Sequence, residues 1–164
     1  MGAELRKNKD TLVVTGTGVI AFGAWNVLKT VMLLVSNREL FEASFEEEQK
    51  ELGMTLVWII LGGFMLVAFG FNLYVGLAAR SEGMGKKKRK YRVLACLMLI
   101  THFMTAVFSV MGIFVEDEID DEILVSTLID VLGFFMLLDL VIAAFKVRRR
   151  MKEEEAMAAE RKAG

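Results

Sequence analysis

The chain has 164 residues, 55% of them hydrophobic, with a mean hydropathy of +0.48 and a formal net charge of −1. That length leaves room for one domain, and the apolar excess points to a membrane rather than a soluble fold. One histidine, one cysteine and no proline exclude an intrachain disulfide, a Cys/His metal centre and proline-broken helices.

Four apolar stretches follow in order, at about 11–36, 52–79, 93–115 and 122–146. Each exceeds the roughly 20 residues that cross a hydrocarbon core about 30 Å thick at about 1.5 Å per residue. The expected fold is an all-α integral membrane protein, a single domain over 1–164 built as a four-transmembrane-helix bundle.

The first stretch, Thr11 to Ser36, follows the basic Arg6, Lys7 and Lys9 and imitates a secretory signal. It is too long for one, carries Lys29 and ends without a small-x-small cleavage site, so it is expected to be retained. Gly16, Gly23 and Thr30 recur every seven residues, marking a face that a neighbouring helix can approach closely. The loop that follows is acidic, with Glu39, Glu42, Glu46, Glu47, Glu48 and Glu51, and the helix-like spacing of Leu40, Phe41, Phe45 and Leu52 predicts a short helical extension or interfacial turn.

Gly62, Gly63, Gly70 and Gly76 give the second stretch the same small-residue character. After it comes a basic loop, Arg80 and Lys86 to Arg92, in which Lys86, Lys87, Lys88, Arg89 and Lys90 are expected to hold anionic lipid headgroups at about 1 kcal/mol per basic residue. Nucleic acid is a poorer partner for a run so close to a span. In the third stretch Ala95, Met98, His102, Thr105, Ser109 and Gly112 form a small and polar stripe expected to face protein. Cys96 reads as a small packing residue.

The third connection, Glu116 to Glu122, is acidic but lacks the spacing and turn glycine of a calcium loop. Asp120 or Asp121 is expected to cap the fourth helix, which continues past Lys146 into a tail, 147–164, rich in helix formers with pairs such as Arg149 with Glu153 and Arg150 with Glu154. Basic segments thus alternate with acidic ones, so the positive-inside rule puts both termini and the Lys86 to Lys90 loop in the cytoplasm. The membrane expected is the plasma membrane.

Ionisable residues inside spans are the sharpest functional clue, since a charge at a helix centre costs about 2.5 to 3.5 kcal/mol. Lys29 and Asp130 lie at matching distances from the outer ends of their helices and are expected to form an intramembrane charge pair, with Trp25 and Asn26 as further neighbours; Lys29 snorkelling outward is the other reading. Asp139, nine residues after Asp130, falls on the opposite face of the helix. By helical rise it sits near the level of Asn72 and His102, giving a candidate polar cluster or pathway. Against this, His102 is also explained by an interhelical hydrogen bond, and Asp139 by a reach to Lys146 or Arg148.

No phosphate loop, facing carboxylate pair or metal-ligand constellation is present, so neither enzymatic activity nor a cofactor or metal is expected. The function expected is that of a small membrane module that self-assembles or binds a membrane-protein partner. The alternative is an oligomeric ion channel or proton- or cation-coupled transporter using Asp139, His102 and Asn72.

Overall fold

The computed structural model describes residues 3–36, 50–86, 90–115 and 121–163. Four helices account for nearly all of them: α1 (Ala3–Ser36), α2 (Lys50–Gly83), α3 (Tyr91–Val115) and α4 (Asp121–Ala163). No strand occurs among the described residues. All four are long and apolar enough to cross a membrane.

Polar side chains inside the helices find partners in their own backbone. Thr15 donates to the carbonyl of Thr11 (2.8 Å), Thr17 to that of Val13 (2.9 Å), Thr30 to that of Asn26 (2.8 Å), and Asn72 to that of Ala68 (2.9 Å). Such bonds satisfy a hydroxyl or amide without any neighbour, which makes these residues compatible with apolar surroundings.

Helix α1 packs on α2 and α4, α4 also packs on α3, and α2 meets α3 over a smaller contact. The core gathers at one end of the bundle. Leu5, Leu12 and Val19 supply it from α1 at seven-residue steps, Val75, Ala78 and Ala79 from α2, Tyr91, Ala95 and Met98 from α3, and Leu137, Leu140, Ala144 and Val147 from α4. Alternating three- and four-residue steps keep those residues on one side of each helix, as in antiparallel bundles. At the other end α2 separates from the bundle, with no buried side chain among its described residues before Asn72.

Glycine governs the α1–α2 contact. A Cβ on Gly16 would lie 2.7 Å from the carbonyl oxygen of Gly76, one on Gly76 2.5 Å from that of Gly16, and one on Gly83 2.6 Å from that of Lys9. Two helical backbones meet there with no room for side chains between them. The second glycine face differs from expectation: a Cβ on Gly62, Gly63 or Gly70 would meet nothing within 4 Å. Those residues lie where α2 has left its neighbours.

Helix α2 stops at a Schellman motif. Gly85, at φ +93°, donates to the carbonyl of Glu82 (2.9 Å), and Lys86 to that of Ser81 (2.9 Å). The left-handed backbone suits glycine and turns the chain toward α3. The first loop's interfacial turn, the acidic 116–120 segment with the Asp120 cap, and Lys87, Lys88 and Arg89 lie outside the described residues.

Helix α4 continues unbroken to Ala163. Arg149 pairs with Glu153 at 3.1 Å, whereas Arg150 pairs with Glu153 at 3.3 Å and with Glu4 on α1 rather than with Glu154. The N-terminal turn of α1 stands beside the tail and supplies a carboxylate that sequence spacing does not reveal.

Candidate functional site

Polar side chains recur at several levels of the bundle. Nearest the end where α2 separates, Lys29 Nζ on α1 lies 3.0 Å from Asp130 Oδ2 on α4, and Ser109 Oγ on α3 donates to the same oxygen at 2.9 Å. Asp130 is thereby tied to two helices at once. Its side chain is 9% exposed against 25% for Lys29, so the carboxylate depends on these donors more than the ammonium depends on it. Trp25 is exposed, and no cation–π contact joins it to Lys29 among the described residues. Asn26 lends its carbonyl to Thr30 instead.

At mid-bundle, Asn72 is buried against α1, its Cβ 2.6 Å from where a Cβ on Gly23 would stand. His102 is half-buried on α3 with Nδ1 2.9 Å from the carbonyl of Met98, and its ring edge lies 3.9 Å from a Cβ position on Gly133. The stripe containing His102 turns inward only in part: Ala95 and Met98 are buried, whereas Thr105 is exposed and Gly112 faces open space. Separation of the helices toward that end removes the neighbour the stripe was expected to meet.

Asp139 stands elsewhere. It is exposed in an open groove of about 670 Å³ between α1 and α4, with Arg6, Lys7, Asp10, Thr11, Val14, Thr15 and Met136 in the walls. The side chain has no hydrogen bond or ion pair among the described residues, to Lys146 and Arg148 included. Thr15 and Gly23 differ by about 12 Å along α1, so Asp139 lies nearer the N-terminal end of α1 than Asn72 does. Rise counted from span edges misjudges this because the helices overrun those edges by unequal amounts. No hydrogen bond joins Asn72, His102 and Asp139 to one another.

A grouping that sequence reading misses closes the α2–α3 hairpin. Glu82, Tyr91 and Arg92 are all buried; the Tyr91 hydroxyl donates to Glu82 Oε2 at 2.6 Å and Arg92 Nη2 pairs with Glu82 Oε1. Arg92 Nε and Nη1 are buried with no hydrogen-bond partner. Counting Arg92 among the loop cations hides this, because Glu82 is the only acid between Arg80 and Arg92 and reads as a minor exception to a basic segment. Lys86 and Lys90, the described residues of the basic run, are exposed.

Cys96 is free and half-buried, and no cluster of three or more His, Cys, Asp or Glu side chains capable of holding a metal occurs among the described residues. No protein family, curated protein or solved structure matches the chain.

Proposed function

We propose that the chain is an integral membrane protein with both termini cytoplasmic, and that it acts as a non-enzymatic module assembling with itself or with another membrane protein. One observation carries the reading. Helix α2 has two small-residue segments: Gly76 seats α1 in near backbone contact, while Gly62, Gly63 and Gly70 carry the same character in open space. Interfaces between membrane helices are built from such residues, because packing replaces the hydrophobic effect there. The uncovered half of α2, Leu52 to Phe71, is thus where a neighbouring protein helix fits.

In this reading the contact of Lys29 with Asp130 is an intramembrane ion pair that keeps two otherwise costly charges inside the bilayer. The Lys86 to Lys90 loop meets anionic headgroups of the plasma membrane's inner leaflet. The transport alternative draws no support from the separate placements of Asn72, His102 and Asp139.

Purification from native membranes into nanodiscs, with the mass of the particle measured, tests the proposal. A particle holding several copies, or one copy with a second membrane protein, is expected. A carbonate-extractable chain, or a lone monomer that passes ions in liposomes and loses flux on Asp139→Asn, would overturn it.

A further inference from the structure

We propose that copies of this chain dock side by side in one membrane orientation, Arg80 on α2 of one protomer entering the α1–α4 groove that holds the partner's Asp139. The proposal rests on the assembly reading above and names its partner as a second copy.

Arg80 and Asp139 share a level. The Arg80 amide nitrogen lies 3.1 Å from where a Cβ on Gly16 would stand, and Asp139 shares its groove with Thr15, the preceding residue of α1. Within one protomer they do not pair, because α1 stands between α2 and α4. Both side chains are exposed and have no ion-pair partner among the described residues. The bundle therefore offers an unpaired cation on one flank and an unpaired carboxylate on another, at equal depth.

The surfaces around the two charges also match. Tyr74, Leu77 and Arg80 follow three-residue steps on α2 and are all exposed, forming a short apolar ridge that ends in a guanidinium. Val14 and Met136 line the groove beside Asp139, together with Arg6, Lys7 and a second carboxylate, Asp10. A ridge on one helix seated in the groove between two others is ordinary helix packing, and guanidinium with carboxylate is its best polar closure. Since different surfaces meet, the contact is heterologous and repeats from copy to copy in one membrane orientation.

The test uses the full chain with Cys96→Ser, carrying Leu77→Cys under one tag or Val14→Cys under another so that Arg80 and Asp139 stay in place, co-expressed and treated in membranes with a short bifunctional thiol reagent. Cross-links are expected between the two tags and not within either, and the doubly substituted chain should give a ladder of multimers. In parallel, Arg80→Glu should shift the particle in nanodiscs to monomer, and Arg80→Glu with Asp139→Arg should restore the multimer. A multimer that shows no cross-link between the tags, or cross-links equally within them, would overturn the docking while leaving assembly itself standing. One copy with a second membrane protein would overturn the docking alone, and a single copy with no other protein, or a chain released by carbonate, would overturn both.

Discussion

Gly16 and Gly76 face each other so closely that a Cβ on either would run into the other's carbonyl oxygen, at 2.7 and 2.5 Å. The atoms approached are backbone, so a side chain at either place must push α1 and α2 apart. Gly16→Val and Gly76→Val should each lower stability by about 1–3 kcal/mol, the usual range for overpacking. Gly63→Val, in open space within the protomer, should leave the midpoint of monomer unfolding in detergent nearly unchanged. Equal losses at all three positions would mean that the α1–α2 approach is not what they sense.

Asp130 accepts from both Lys29 and Ser109. Lys29→Ala leaves the nearly buried Asp130 carboxylate without its counter-charge and should cost about 3–5 kcal/mol, while Ser109→Ala removes one neutral donor to a charged acceptor and should cost about 1.5–3 kcal/mol. Reversal of the pair, Lys29→Asp with Asp130→Lys, should recover part of the loss of either change alone. Strictly additive effects in that double-mutant cycle would show that the two residues do not interact.

Glu82 is the acceptor on which the α2–α3 hairpin closes. Glu82→Ala leaves Arg92 buried without a counter-charge and should cost about 3–5 kcal/mol, whereas Tyr91→Phe, which removes one hydroxyl, should cost about 1.5–3 kcal/mol. Denaturation followed by tryptophan fluorescence measures both. A Glu82→Ala protein as stable as the parent would place the hairpin's closure elsewhere.

Element type was legible in the sequence wherever hydropathy decides it, which is why all four helices stand near their expected places. Lys29 and Asp130, at matching distances from the loops, lie 3.0 Å apart. What did not show was relative sliding. Asp139 read as level with Asn72 only if all helices begin together, and α4 runs on to Ala163 while α1 begins at Ala3. Nor did glycine spacing distinguish Gly16 and Gly76, where backbones touch, from Gly63 and Gly70, where none does. The same residue type marks a contact made and a contact left open, and only the course of the neighbouring helix separates them. Glu82 escaped notice because its partners, Tyr91 and Arg92, lie across a turn in a segment whose other charges are basic.

A bundle that crosses the membrane four times with both termini inside makes a sharp demand on cysteine labelling in intact cells. In a Cys96→Ser background, Ser44→Cys in the first acidic loop should react with a membrane-impermeant maleimide applied from outside, and Lys86→Cys should react only after permeabilisation. Labelling of Lys86→Cys but not Ser44→Cys from outside would contradict the orientation, and labelling of both would contradict the spans between them.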